Sequence, residues 1–251
     1  LASGKMVIAP GAIDGITGRA IDRAGFPAAY MTGAGTSATL GYPDYGLLTM
    51  TEMVANATRI VNSISIPLIS DADTGYGNEL NVFRTVQEFE RAGVAAIHIE
   101  DQAFPKKCGH LDNKEVVSRE DYIAKIRAAA AARRTRDFCI IARTDSRAML
   151  GLDEAIMRAN LALANGADVA FVEAPQTMEE IALVPQRVKG ACLLNVVRGG
   201  KTPDIVLDDA QAMGYRIAIL PGLLLGGIIS VCDQLLEDVK RLGKYPPPKG
   251  D

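Results

Sequence analysis

Tryptophan is absent from the 251-residue chain, and only 6 Phe and 7 Tyr are present. So few aromatics leave little surface on which bases could stack. Lys and Arg number 27 against 30 Asp and Glu, so there is no basic excess either, and a nucleic-acid partner is not expected. Histidine occurs twice, as His98 and His110, too sparsely for a His-rich zinc site. Cys108, Cys139, Cys192 and Cys232 form no C-x-x-C pair, and reduced thiols are expected rather than disulfides. No apolar run approaches the ~18 residues needed to cross a membrane. No basic segment followed by an apolar stretch opens the chain, so no leader is expected and the protein reads as cytoplasmic.

Two further absences concern fold and chemistry. A doubly wound nucleotide-binding sheet would want G-x-G-x-x-G after its first strand, but the text there is Pro10-Gly11-Ala12-Ile13-Asp14-Gly15. A Schiff-base aldolase would want a lysine at a strand tip, and none stands there.

What is present is an alternation. Short apolar runs fall at Met6–Ala9, Ala28–Thr32, Pro67–Asp71, Ala95–Glu100, Phe138–Arg143, Val169–Glu173, Cys192–Val196 and Arg216–Leu220. Most are continuous rather than alternating, as in parallel strands covered on both faces. Helical spacing of apolar residues appears over Thr51–Ile64, Arg119–Arg134, Leu152–Asn165 and Asp204–Met213. Gly93, Gly166 and Gly214 stand where left-handed caps would close helices, and Ser118 and Asp153 where N-caps would open them. Eight such units predict a (β/α)8 TIM-type barrel of the α/β class, spanning 1–251 as one domain.

In that fold the chemistry sits at the C-terminal ends of the strands. Those ends are acidic and polar: Thr32-Gly33-Ala34-Gly35, Asp71-Ala72-Asp73, Glu100-Asp101, Arg143-Thr144-Asp145, Glu173 and Asn195. Carboxylates pointed into one mouth repel each other, and a divalent cation is the simplest compensation. All-oxygen donors suit Mg²⁺, or Mn²⁺ as the alternative. Mg²⁺ keeps waters, so Asp73 is the expected direct ligand, with Asp71, Glu100 and Asp44 holding its waters. The glycines after Thr32 leave backbone N–H groups open for a carboxylate or phosphate, or else form an ordinary turn. Arg143 is a planar fork suited to a carboxylate, or else pairs with Asp145 or Glu173. About 17 residues follow the fourth strand, a length that is usually functional or disordered. There Lys106 and Lys107 flank Cys108 and favour its thiolate, marking it as the reactive thiol.

Lys106-Lys107-Cys108-Gly109-His110 resembles the signature of lyases in the isocitrate lyase / phosphoenolpyruvate mutase superfamily. More narrowly, the chain is similar to its 2-methylisocitrate lyase and 2,3-dimethylmalate lyase branch. Gly41-Tyr42-Pro43-Asp44, Asp71 to Gly77, Ile99-Glu100-Asp101-Gln102, Ala142 to Asp145 and Glu173-Ala174-Pro175 are similar too, in order along nearly the whole chain. The resemblance implies a Mg²⁺-dependent carbon–carbon lyase acting on a small 2-hydroxy di- or tricarboxylic acid. It implies Mg²⁺ at Asp71, Asp73 and Glu100 with Asp44 nearby. Tyr30, Thr32, Gly33 and Gly35 would hold the 2-oxo acid end, and Arg143, Glu173 and Asn195 would complete the pocket. Cys108 would be the catalytic acid on a mobile lid, with Lys106, Lys107 and Gly109 contributing to binding and His110 to catalysis. Tyr30 or a carboxylate-held water would be the base. A homodimer or homotetramer is implied, with the eighth helix exchanged between subunits.

The chain departs from that pattern at Arg198, where the branch usually carries Glu, and this leaves the substrate open. Relatives of this kind usually continue beyond the position of Leu242, whereas here Tyr245-Pro246-Pro247-Pro248 leads quickly to the last residue. Oxaloacetate hydrolase or decarboxylase activity and phosphonomutase-type P–C chemistry, such as that of carboxyphosphonoenolpyruvate mutase, are the rival expectations. A non-catalytic binding barrel is the rival outside enzymology.

Overall fold

A computed structural model describes residues 4–109, 111 and 114–246. Eight parallel strands close into a barrel in sequence order, β1 pairing with β8. The strands are β1 (Val7–Ala12), β2 (Ala29–Met31), β3 (Leu68–Asp71), β4 (Ala96–Glu100), β5 (Cys139–Thr144), β6 (Val169–Val172), β7 (Ala191–Asn195) and β8 (Ile217–Leu220). The helices between them are α1 (Gly15–Arg23), α2 (Gly33–Thr39), α3 (Met50–Val61), α4 (Glu79–Arg91), α5 (Arg119–Ala132), α6 (Arg147–Leu150), α7 (Leu152–Ala164), α8 (Met178–Arg187) and α9 (Leu207–Met213). Helix α10 (Leu223–Leu242) follows β8.

Every expected strand is found, displaced at its ends by a few residues. The largest difference is β1, which runs on through Pro10 and Gly11 to Ala12. Pro10 lacks an N–H but keeps its register opposite Leu220 of β8, while Gly11 and Ala12 pair with Tyr30 and Met31 of β2. Gly11 is also where the backbone of Pro221 crosses so closely that no Cβ would fit. Ser118 caps α5 by accepting from the Asp121 N–H, as expected. Asp153 does not cap α7. That helix opens one residue earlier behind Gly151, whose φ of +87° suits glycine, and Asp153 pairs with Arg187 instead.

Side chains along a strand alternate between faces, so each strand sends every second residue inward. Ala28, Tyr30, Ile69, Ala96, Ile141, Val169, Phe171, Leu193, Ile217 and Ile219 pack together inside the barrel. Ile140 and Ala142 of β5 join the layer between sheet and helices. The inward series ends in a different class of residue at each tip. Tyr30 leads to Thr32, Ile69 to Asp71, Ile141 to Arg143, Phe171 to Glu173 and Leu193 to Asn195. On β4 the series runs Ala96, His98, Glu100. The apolar plug thus supports a ring of polar side chains at the mouth.

Helix α10 is the exception to the covered helix layer, with no residue buried along its 20. Leu236 is 62% exposed, and Ile229 and Val231 are likewise open. No helix among the described residues is long and apolar enough to cross a membrane.

Candidate active site

The mouth holds a small cavity of about 170 Å³, lined by Tyr30, Thr32, Gly35, Asp44, Asp71, Lys106, Cys108, Gly109, Arg143, Glu173 and Asn195. That is room for a small acid. Gly33, Asp73 and Glu100 sit behind this wall. Lys107 does not line the cavity. Its backbone is clamped by the Gln102 side chain, through Lys107 N donating to Oε1 at 3.0 Å and Lys107 O accepting from Nε2 at 2.8 Å. It borders a separate hollow with Phe104 and Pro105, so Lys106 and Cys108 face in while Lys107 faces out. His110 lies outside the described residues.

The glycines after Thr32 are the start of α2, and their N–H groups are not all left open. Gly33 N donates to Asp71 Oδ2 at 3.2 Å, and Gly35 N donates to Thr32 Oγ1 at 3.2 Å. This segment therefore braces a carboxylate of the site in addition to walling the cavity. Asp71 Oδ1 accepts from the Asp73 N–H at 2.9 Å. Asp73 itself, at φ +47°, sits in the left-handed region, as does Tyr76 at φ +62°. Such backbone costs of order 1–3 kcal/mol per residue and persists where surrounding structure imposes it.

The acidic face is tightly charged. Lys106 Nζ lies 2.5 Å from Asp44 Oδ1 and 2.7 Å from Asp73 Oδ1. Burial pushes Asp73 up to about 6, with the charges of Asp71 and Asp44 adding and Lys106 opposing. Burial also drives Glu100 well above the carboxylate range, against the pull of Arg143. Burial opposes ionisation of Asp71, but His98, Lys106, Arg143 and the Asp73 N–H hold it down to about 2. Because burial pulls His98 itself down to about 4, the imidazole is neutral at pH 7, and Lys106 and Arg143 carry the positive charge there.

Both oxygens of the buried Glu100 accept no hydrogen bond, and Asp73 Oδ1 meets only the Lys106 ammonium, at 2.7 Å. Buried carboxylate oxygens so placed fit a hard divalent cation and its waters. Among the described residues no three His, Cys, Asp or Glu side chains converge closely enough to hold a bare ion. The arrangement therefore fits one or two direct carboxylates with the rest acting through water, and not a three-carboxylate cage.

The Tyr30 hydroxyl is 2.8 Å from His98 Nε2, and burial, reinforced by the Asp71 charge, raises its pKa well above the phenolic value. Arg143 forks onto Asp145, with Nε to Oδ2 at 2.8 Å and Nη2 to Oδ1 at 3.1 Å. It also lies 3.2 Å from Glu100 and over the Phe171 ring. The pairing and the cavity-lining roles thus coexist. Asn195 donates to Glu173 at 3.2 Å and leaves its own Oδ1 unpartnered and buried, available to a hydroxyl.

Sequence reasoning gave no role to His98, Lys114 and Asp101, and named Asp145 only as a possible partner of Arg143; all four hold this site. His98 packs between Tyr30 and Phe171 under it. Asp145 orients Arg143. Lys114 reaches in from the return arm of the long loop and donates to Asp145 at 2.8 Å and to the Gly109 carbonyl. Asp101 accepts from Thr144 Oγ1 at 2.6 Å, from Asp145 N at 2.8 Å and from Arg158 at 3.1 Å. For Asp101 the only signal was adjacency to a strand tip. For Lys114 there was none.

Asp101 makes a pH prediction. Burial and the Asp145 charge raise it from 3.8 to about 6, against its hydrogen bonds and Arg158. The native state therefore binds this proton more tightly than the unfolded chain does. The stability so gained is complete below pH 4 and is lost as pH rises through 6. Urea titrations of the wild type from pH 4 to 7 are expected to carry a decline on the order of 1–3 kcal/mol from this group. Asp101→Asn removes that decline. An unchanged pH slope in the variant rejects the assignment.

A closed parallel barrel with a cation-seeking acidic mouth, an arginine and a thiol on a loop above it defines an enzyme site for small anionic substrates. Residues 1–240 match the family model described as phosphoenolpyruvate phosphomutase, and the chain belongs to that family. A 2,3-dimethylmalate lyase of Eubacterium barkeri is 51% identical over 222 residues, covering 88% of this chain and 77% of the relative. A 2-methylisocitrate lyase of Aeropyrum pernix is 42% identical over 238 residues, covering 95% of this chain and 77% of the relative. The fold superposes on oxaloacetate acetylhydrolase bound to the inhibitor 3,3-difluorooxalacetate with a TM-score of 0.95, at 40% identity, covering 98% and 85% of the two chains. Phosphonopyruvate hydrolase in complex with oxalate and Mg²⁺ superposes with a TM-score of 0.88, at 32% identity, covering 97% and 85%. The relatives named lyases make this an enzyme of the carbon–carbon lyase kind.

Proposed function

We propose that this enzyme cleaves a carbon–carbon bond in a small 2-hydroxy di- or tricarboxylic acid of the 2,3-dimethylmalate or 2-methylisocitrate type, with Mg²⁺ as cofactor. One observation carries the reading: a thiol, an arginine and a cluster of carboxylates share a single small cavity at the barrel mouth. Asp73 is the proposed direct ligand, with Asp71, Glu100 and Asp44 holding coordinated water. When bound there, Mg²⁺ lowers the pKa of a substrate hydroxyl and stabilises the carbonyl that forms from it.

The chain's own residues do the rest. Arg143 lines the cavity and spends two of its five N–H groups on Asp145, so its fork takes a substrate carboxylate with those that remain. Asn195 Oδ1 accepts a substrate hydroxyl. The hydroxyl proton leaves toward the acidic face, to a water held by its carboxylates. After the bond breaks, Cys108 protonates the departing carbon from the lid. Tyr30 and Thr32 wall the cavity and exclude water. A panel of 2-hydroxy diacids and triacids, assayed for pyruvate, glyoxylate and oxalate, tests this. Turnover of one of them is expected, abolished by EDTA and restored by Mg²⁺. Metal-independent turnover, or release of CO₂ or oxalate from oxaloacetate alone, counts against it.

The open apolar face of α10 supports a homodimer or homotetramer in which this helix packs on a partner subunit. A charge on that face opposes burial, so Ile229→Glu is expected to lower the mass found by light scattering to that of a monomer. An unchanged mass places the contact elsewhere.

A further inference from the structure

We propose that Arg158 is a positioning residue that acts on Arg143 through two carboxylates in series, Asp101 and Asp145, so that helix α7 sets where the substrate-binding fork stands. Arg158 Nη1 donates to Asp101 Oδ2 at 3.1 Å. Asp101 accepts the Asp145 N–H on Oδ1 at 2.8 Å and the Thr144 hydroxyl on Oδ2 at 2.6 Å. Asp145 then takes both branches of the Arg143 fork. Every member of this series is buried, with Asp101, Thr144 and Asp145 wholly enclosed.

The face of α7 that carries Arg158 is otherwise small and apolar: Ala155, Ile156, Ala159 and Ala162 are buried along it. Stability does not explain a charge there, because apolar replacements of a buried ion pair are often neutral or stabilising. The guanidinium is also aimed before it meets Asp101. Its Nε donates to Glu154 Oε1 at 2.8 Å, one turn earlier, and Nη1 donates as well to the Val117 carbonyl at 2.8 Å. Arg119 of α5 holds Glu154 from the other side, Nε to Oε1 at 2.8 Å. A planar fork fixed at two points gives the third a set direction.

Asp101 and Asp145 follow neighbouring strands, β4 and β5, and one accepts the backbone N–H of the other. Asp145 is neutralised by Arg143 and Lys114, and Asp101 pairs with Arg158. Without Arg158, Asp101 keeps its hydrogen bonds and loses that cation. The guanidinium at the far end of the series, Arg143, is already shared among Asp145, Glu100 and Glu173. A shift of Asp101 carries the Asp145 backbone with it, and the fork follows.

The test is a double-mutant cycle on oxalate affinity, measured by calorimetry with Mg²⁺ saturating. Arg158→Met is expected to weaken oxalate about 10-fold, with Mg²⁺ affinity within about 2-fold of the parent. In an Arg143→Lys background, where the fork is already gone, the same change is expected to cost less than about 2-fold. A merely structural contribution weakens oxalate by the same factor in both backgrounds, and equal factors overturn the proposal. Should Arg158→Met fail to fold, Arg158→Lys, which keeps a cation for Asp101 without the aimed fork, is held to the same cycle. The affinity arm rests on the reading of Arg143 as the fork for a substrate carboxylate. A parent that does not bind oxalate, or an Arg143→Lys enzyme that binds it as tightly as the parent, counts against that reading. A crystal structure of the Arg158 variant then decides the series by itself: the two Arg143–Asp145 bonds are expected to be broken or re-aimed, and an unchanged pair overturns it.

Discussion

Replacing Cys108 with serine is expected to lower kcat by about 10²–10⁴-fold, the usual contribution of a positioned general acid. The thiol lines the cavity with Arg143, Glu173 and Asn195, at the tip of a loop whose next residue touches two of them. Serine is smaller by little and keeps a donor, so packing and the backbone bonds to Asp44 and Leu111 persist. What changes is acidity: a thiol with an ordinary pKa near 8.5 gives up its proton far more readily than an aliphatic hydroxyl. The loss is therefore expected in kcat, with Mg²⁺ and oxalate affinities, measured by calorimetry, within about 2-fold of the parent. Turnover close to the parent's removes Cys108 from the role of acid.

Arg143→Met is expected to have the largest combined effect. The guanidinium is buried among Asp145, Glu100 and Glu173, at 2.8, 3.2 and 3.9 Å. Removing one partner of a buried ion pair costs about 3–5 kcal/mol, because the remaining charge is left uncompensated. Here more than one carboxylate is left. Asp145 is held far below the ordinary carboxylate range despite its burial, first by Arg143 and then by Lys114. That stabilisation is present above pH 4 and fades in acid, so the variant's deficit is expected to shrink as pH falls toward 3. Catalysis loses its carboxylate-binding fork as well, and kcat/KM is expected to drop by about 10³-fold or more. Arg143→Lys keeps the charge without the fork and is expected to recover stability more than activity. Chemical denaturation at pH 3.5 and 7, with turnover alongside, decides it. A variant as stable as the parent at pH 7 shows that the carboxylates are neutralised some other way.

The sequence by itself determined the eight strands and the class of residue at each tip. Continuous apolar runs ending in Asp71, Glu100, Arg143, Glu173 and Asn195 leave few alternatives, because strands with both faces covered must carry apolar residues on each face and release polar ones only where the sheet ends. Side chains alternate along each strand, so Thr32, Asp71, Arg143, Glu173 and Asn195 line one cavity at the mouth. Short-range ambiguity cost little: the first strand was ended before Pro10, and Asp153 was expected at the cap but lies inside its helix.

Only the tertiary structure decided how those side chains divide their work. Gly33 gives its N–H to Asp71, Tyr30 is locked on His98, and Lys107 turns out of the cavity while Lys106 turns in. Each outcome depends on partners 38 or more residues away, or on which way a loop side chain faces. Local spacing cannot encode either. Lys114 is the extreme case: nothing around it in the chain sets it apart, and its meaning comes from folding a loop back so that one ammonium meets a lid carbonyl and a strand-tip carboxylate at once.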